Sequence, residues 1–299
     1  MPERAPRVGI VVRTKNRPAF LRRALADVAA QRYRDWAVHV VNDGGDAAAV
    51  AAAVSELPVE VRERVRVTDN ETPHGRSAAA NQGVRGLDTE FVVLHDDDDL
   101  WHPRFLEETV RWLDEHPGDI GVTARTEIVY EAERDGRFQE VGRVPFWPQL
   151  TAITYAELLQ VNRFVPISYL YRRALHDDVG MYREDIHAAE DWELNLRTAL
   201  RHRIGLLDGE PLAYWLQRAG VDGELGNSMF ALAGEHDKYD QLVRDEALRA
   251  YVEQHGPGLA LYLTRFIQDE VARQLDERRS LGQRLTGAVR DWRRERRTR

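Results

Sequence analysis

The chain has 299 residues, 42 Lys+Arg against 50 Asp+Glu, a formal net charge of -8 and no cysteine. The lack of Cys excludes disulfides, thiolate zinc sites, iron–sulfur clusters and a Cys nucleophile, and 43% hydrophobic with 31% charged residues is ordinary for a globular chain and argues against global disorder. The charge is uneven: residues 278–299 carry nine Arg against Asp291 and Glu295, a net of +7 that leaves -15 on the body, and an acidic body argues against a nucleic-acid partner. No apolar run approaches the ~20 residues of a membrane span. The N-terminus lacks the apolar core of a signal peptide, so a cytoplasmic protein is expected.

In chain order, Val8-Gly9-Ile10-Val11-Val12 reads as a buried strand, rich in β-branched residues. Asn16-Arg17-Pro18 supplies a capping side chain and an early proline for a helix carrying Phe20, Leu21, Ala24, Leu25 and Val28 at helical spacing. Trp36 to Val41 is the next strand, ended by Asn42-Asp43-Gly44-Gly45; an Ala-rich helix covers 46–57. Val65 to Thr68 is a third strand, Ser77 to Leu87 a helix, and Phe91 to Leu94 a fourth strand that stops at Asp96-Asp97-Asp98-Asp99. Pro103 opens a helix to His116. Beyond Ile120 the pattern changes. Asp135-Gly136 marks a hairpin, 154–160 a helix, Val165 to Tyr171 a strand, Glu190 to His202 a helix, and Ile204 to Gln217 a strand with a connection. From Ser228 the chain is mostly helical, with Leu259, Leu263, Ile267, Val271 and Leu275 in an i, i+4 stripe.

Strands alternating with helices in units of ~30 residues imply a mostly parallel sheet covered on both faces. Ligands of such sheets bind at the carboxyl ends of the strands, where Arg13 to Arg17, Asn42 to Asp46 and Asp96 to Asp99 all fall. Four adjacent carboxylates repel one another unless a cation intervenes, and Mg²⁺ or Mn²⁺ characteristically takes one or two carboxylates plus phosphate oxygens. A competing use of the run is an acidic turn in which Asp99 caps the following helix. Asp43 suits either a turn or a hydrogen bond to a base. Glu190-Asp191 opens a helix, either as ordinary dipole partners or with one carboxylate poised as a general base. Lys15 and Lys238 are the only lysines, and no G-x-x-x-x-G-K-[ST], G-x-G-x-x-G or G-x-S-x-G segment occurs, which excludes a P-loop NTPase and leaves a dinucleotide fold or a Ser hydrolase unsupported.

Taken in order, these segments resemble the family 2 glycosyltransferases, which are inverting enzymes with the GT-A fold. The resemblance is carried by Val8 to Arg17, Asn42-Asp43-Gly44, Asn70, Gly75, Ser77 and Asn81, Leu94 to Pro103 with its D-x-D segment, Val179 to Tyr182, and Glu190-Asp191-Trp192. It covers roughly residues 7–217. It implies a catalytic domain over 1–217, Rossmann-like with helices flanking the sheet, and a helical extension with a basic tail over 218–299. Three departures stand out: Arg13 where the family usually has Pro, Ala80 where an Arg often precedes Asn81, and Arg218 near the point after the last core strand where some members carry a His, with His236 further on.

The resemblance implies transfer of a sugar from a nucleotide-diphosphate donor, UDP being the commonest, to an acceptor hydroxyl. Asp43 would pair with the base, Thr14, Asn16 and Arg17 would close the same pocket, and Gly75, Arg76, Asp96 and Asp97 would complete the donor site. Asp98 would ligate Mn²⁺ or Mg²⁺, with Asp96 on the metal or its water shell. Asp191 would be the general base and Glu190 would orient the acceptor. Trp192, Trp101, Arg218 and His236 would lie on the acceptor side. A catalytically lost binding protein of the same fold and a metal-dependent nucleotidyltransferase are the alternatives. In the tail, Leu281, Leu285, Val289 and Trp292 recur among arginines, the pattern of a basic helix that lies on an anionic membrane surface or docks on the acidic body.

Overall fold

The structure, a computed structural model, describes residues 5–221, 223–227 and 233–277. The strands are β1 (Val8–Thr14), β2 (Trp36–Asp43), β3 (Val65–Asn70), β4 (Phe91–Leu94), β5 (Leu100–Trp101), β6 (Asp119–Ala124), β7 (Thr126–Arg134), β8 (Arg137–Pro145), β9 (Tyr169–Arg172), β10 (Arg203–Leu207) and β11 (Ala213–Gln217). The helices are α1 (Pro18–Ala29), α2 (Ala47–Ser55), α3 (Val59–Arg62), α4 (Arg76–Arg85), α5 (Phe105–Glu115), α6 (Tyr155–Gln160), α7 (Leu175–Val179), α8 (Glu190–Arg201), α9 (Ala233–His255) and α10 (Gly258–Glu277).

Seven strands form one sheet in the order β10-β6-β9-β4-β1-β2-β3. It is parallel except at β9, which runs antiparallel to both β4 and β6. β1 is an unbroken apolar run because both faces of the sheet are covered. Val8, Ile10 and Val12 point to the face packed by Leu21, Leu25 and Val28 of α1. Val11 points to the other, with Ala80 and Val84 of α4, as the two-residue period of a strand requires. Helix α4 lies so close that a Cβ on Gly83 would sit 2.2 Å from Val11 Cγ1, so glycine there sets the helix-to-sheet spacing.

A second sheet, β5-β11-β7-β8, was not foreseen as such. Its β7–β8 hairpin turns at Asp135-Gly136, both with positive φ, as the sequence indicated. Strand β6 was also missed. The strand expected over Val165 to Tyr171 is instead a 3₁₀ turn at Pro166–Ser168 followed by β9; Pro166 has no N–H to give a ladder.

Two capping expectations fail. The N-cap of α1 is Arg17 with no side-chain bond, because Asn16 adopts a left-handed φ of 53° and its Oδ1 accepts from Asp46 N, bracing the turn into α2. Asp99 does not cap α5, whose N-cap is Arg104; it accepts from Leu216 N and ties β11 to the acidic run.

The register brings Thr14 beside Asn42, Asp43 beside Asn70, and Val11 beside Leu94. The loops after β1, β2, β3 and β4 therefore leave one edge of the sheet side by side, as expected of a ligand crevice. The chain divides into two compact units, one ending at Asp240 and the next beginning at Gln241. Arg218, Asn227, His236 and Tyr239 belong to the first. In the second, Leu259, Leu263, Ile267, Val271 and Leu275 of α10 are all exposed. The basic tail, including Leu281, Leu285, Val289 and Trp292, lies outside the described residues.

Candidate active site

On the β2 side of the crevice, Asp43 is held from three directions. His74 N and Gly75 N donate to its two oxygens at 2.8 and 2.9 Å, and Asn70 Nδ2 donates at 3.0 Å. The carboxylate thus orders the loop that leads into α4. Gly75 has φ +98°, a conformation that glycine adopts without strain. Thr14 at the end of β1 donates to Asp97 Oδ2 at 2.7 Å, and Arg17 pairs with Asp97 at 2.5 Å. Asp97 itself is sealed from solvent. It acts on the crevice by holding Thr14 and Arg17, and burial, ahead of the opposing pull of Arg17, lifts its carboxyl to about 7.

The acidic run is balanced by arginines from distant parts of the chain. Arg13, buried at the end of β1, donates Nε and Nη2 to Asp96 at 2.6–2.9 Å and Nη1 to Glu190 at 3.3 Å. Its Nη1 also donates to Arg76 O. Burial pushes Asp96 up, but Arg13, Arg76 and Arg17 outweigh it and hold the carboxyl below its ordinary range. Arg218, wholly buried, donates to Asp98 Oδ2 at 2.5 Å and to Glu131 at 3.0 Å, with its guanidinium 4.4 Å from the Phe20 ring. Asn227 donates to the same Asp98 oxygen at 3.2 Å, and Arg17 approaches it at 3.4 Å. Such planar, multidentate pairing suits Arg rather than Lys, consistent with a chain that has only two lysines.

The opposite wall is the start of α8. Ala189 precedes it at a left-handed φ of 62° with no side-chain cap, strain of the kind that collects at functional sites. Glu190 faces Arg13 and lies 3.5 Å from Arg76. Asp191 accepts from Asn162 Nδ2 at 2.8 Å. Burial first, and then the neighbouring Glu190, raise Asp191 to about 6. His236 reaches this wall from α9: burial, then Arg76, pushes its imidazole below the ordinary value, and its Nε2 is buried without a hydrogen-bond partner among the described residues.

Two aromatics expected on the acceptor side are core side chains instead. Trp101 is 2% exposed, bonds Ile167 O and stacks 4.6 Å from Phe105. Trp192 is 4% exposed and donates to Leu158 O, locking α8 to α6. Neither ring has a surface to offer a ligand. Arg218 lies against Asp98, whereas His236 sits beside Glu190 and Arg76.

The donor set for a cation is narrow. Both Asp96 oxygens are occupied by Arg13. Asp98 spends Oδ2 on Arg218, Asn227 and Arg17, while among the described residues Oδ1 takes no hydrogen bond and the side chain keeps 12% exposure. Among the described residues no group of three or more His, Asp or Glu forms a protein cage. One open carboxylate oxygen fits a Mg²⁺- or Mn²⁺-type ion that takes most of its ligands from phosphate and water.

The loop ordered by Asp43, the Asp96 to Asp99 run and the Glu190-Asp191 pair are thus drawn together, Thr14 and Arg17 holding Asp97, and Arg13 and Arg76 reaching Glu190. The sequence profile described as Glycosyl transferase family 2 matches residues 9–180. The chain belongs to glycosyltransferase family 2. It is 30% identical over 217 residues to the uncharacterized glycosyltransferase YwdF of Bacillus subtilis (strain 168), a match spanning 72% of this chain and 76% of YwdF. Among solved structures it is similar to S. aureus TarS 1–349 in complex with UDP-GlcNAc, with TM-score 0.55, 20% identity, and coverage of 85% of this chain and 75% of that one. It is also similar to the mannosyltransferase PcManGT of Pyrobaculum calidifontis in complex with GDP-Man and Mn²⁺, with TM-score 0.52, 18% identity, and coverage of 89% and 81%. Likeness at this identity is one of fold, and the fold is GT-A.

Within this family 2 glycosyltransferase, four side chains that bind the site together were not singled out from the sequence: Arg13 as a bridge, Asn162 on Asp191, Asn227 on Asp98, and Glu131 on Arg218. Only Arg13 left a trace, as a charged residue inside an otherwise apolar strand that departs from the family pattern.

Proposed function

We propose that this glycosyltransferase moves a sugar from a UDP-sugar to an acceptor hydroxyl by a single inverting displacement. The observation that carries the reading is the Arg13 bridge, 2.6 Å from Asp96 and 3.3 Å from Glu190. It joins the donor-side loops to a helix whose next residue, Asp191, is a carboxylate with a pKa suited to accepting a proton at neutral pH. The TarS complexes with UDP and UDP-GlcNAc support the donor class by analogy of fold.

In this reading the Asp43 loop receives the base, and Thr14, Asn16, Arg17, Gly75 and Arg76 line the donor side. Asp98, with Asp96 behind it, would hold Mn²⁺ or Mg²⁺, which when bound offsets the charge of the departing diphosphate. Arg17 and Arg76 add positive charge where leaving-group charge grows, which is differential stabilisation of the transition state. Asp191 takes the acceptor proton on the face opposite the leaving group, and Glu190, fixed by Arg13, orients the acceptor. His236, neutral beside Arg76, lies where the acceptor enters.

Thermal shift with a panel of nucleotide sugars, with and without Mn²⁺, tests the donor. A specific donor at 100 times its Kd stabilises the fold by about 2.7 kcal/mol, and UDP-sugars are expected to give the largest shifts. A folded protein that responds to no nucleotide sugar overturns the reading. Release of nucleoside diphosphate is expected; release of pyrophosphate would assign nucleotidyl transfer instead.

No helix among the described residues is long and apolar enough to cross a membrane. The arginine-rich segment 278–299 supports peripheral contact with an anionic lipid surface, which suits a lipid-linked acceptor. Liposomes containing phosphatidylglycerol should sediment the full chain and leave a chain ending at Asp276 in solution; equal recovery of the two rejects the contact.

A further inference from the structure

Away from the crevice, the segment between β8 and the 3₁₀ turn lines a partly open cavity of about 160 Å³. Trp147, Leu150 and Ala152 give it apolar wall, and Gln149, Thr151 and Glu157 give it a polar rim. Two features mark it as built rather than incidental. Trp147 holds a left-handed φ of 47°, costly for a bulky residue, and Arg125 fixes that turn by donating to Trp147 O and Leu150 O. The guanidinium of Arg163, itself 9% exposed, lies 4.3 Å from the Trp147 ring centroid.

The chemistry of the walls selects the ligand. Arg163 is already neutralised by Glu157 at 2.6 Å and also donates to Gln160 at 3.1 Å, so the cavity is not a site for an anion. An aromatic face beside amide, hydroxyl and carboxylate groups matches a neutral ring with an apolar face and a hydroxylated edge. The volume lies below the ~300 Å³ at which pockets take drug-sized ligands, so one ring enters rather than a whole glycan.

The cavity is also tied to the reacting centre. Asn162, the residue before Arg163, donates to Asp191 and accepts from Asn195, and Trp192 of α8 bonds Leu158 of the α6 wall. Cavity wall and general base therefore ride on one packed unit, α6 with α8.

We propose that this cavity is a saccharide subsite that anchors one neutral pyranose ring of the acceptor, with Trp147 as its wall and Gln149 and Thr151 on its rim as hydrogen-bond partners for ring hydroxyls. The inference rests on the glycosyl-transfer reading. Saturation-transfer NMR on the full chain, using methyl glycosides of glucose, galactose, mannose and N-acetylglucosamine at millimolar concentration, tests it, with UDP-induced thermal shift measured on the same samples. At least one glycoside should saturate, and Trp147→Ala should lower its signal at least fivefold with the UDP shift unchanged. Gln149→Leu, a rim change on an exposed residue, should lower it as well and decides the matter if Trp147→Ala fails to fold. A wild-type UDP shift with no saturated glycoside, or saturation unchanged in the variants, overturns the subsite and leaves the donor reading standing. Loss of the UDP response in the wild type strikes the donor reading instead.

Discussion

Asp191→Asn is expected to lower turnover about 10²–10⁴-fold, the usual worth of a positioned general base, with UDP affinity within a factor of about two of the wild type. Asparagine keeps the side-chain shape and an oxygen for the Asn162 donor at 2.8 Å, so a loss of rate reports the proton acceptor and not the packing. Turnover of the wild type should rise with pH and level off above about 6, the value to which burial and Glu190 bring Asp191. In the variant that limb should vanish. Stability carries the opposite sign. A carboxyl raised above its unfolded value of 3.8 binds more protons folded than unfolded between 3.8 and about 6, so its contribution to stability falls as pH rises through that window. The Asn variant therefore melts no lower than the wild type at pH 7 and gains on it relative to pH 4. Near-normal turnover in a correctly folded variant, or a pH limb that survives the substitution, removes Asp191 from the role.

Which parts of this site can be read in one dimension follows from what encodes them. β1 and β4 open on continuous apolar runs and β2 is apolar but for His39, because both sheet faces are covered, and the carboxylates Asp43 and Asp96 to Asp99 sit where β2 and β4 stop. Position along the chain is enough to find them. β6 has no such run: Gly121 interrupts it because a Cβ there would come 2.5 Å from the Tyr169 ring, a tertiary demand with no local sign. β5 has two residues and exists because β11 pairs with it. The same holds for charge balance. Asp96 to Asp99 announce a problem of repulsion, and a cation was the expected answer. Much of the answer is arginine, supplied by Arg13 from 83 positions away and by Arg218 from 120, and nothing near either residue marks it as a partner. Trp101 and Trp192 illustrate the converse. Each stands beside chemically important carboxylates in the chain, yet the helix and strand geometry turns both rings into the core.

Arg13 follows from that contrast as the most sensitive single position in the lattice. Arg13→Met keeps an unbranched stem in the strand and leaves Asp96 and Glu190 without their shared cation. Removing one partner of a buried pair costs about 3–5 kcal/mol. The lower end applies here, because the Asp96 side chain keeps 17% exposure. For a fold of this size that is a fall in Tm of about 6–12 °C. The pH dependence identifies the cause. Asp96 is held below its unfolded value of 3.8, so the stability it gains from Arg13 is present above that value and is lost as pH falls through the folded pKa. The gap between wild type and variant should be wide at pH 7 and narrow below pH 4. Arg13→Lys supplies one point charge where two carboxylates on different elements need a fork, so it should fall between the two in Tm. Glu190→Gln in the Arg13→Met background should recover part of the loss, a coupling of about 0.5–3 kcal/mol in a double-mutant cycle. A variant as stable as the wild type at pH 7, or additive losses in the cycle, would show that the bridge between donor loops and α8 does not hold the site together.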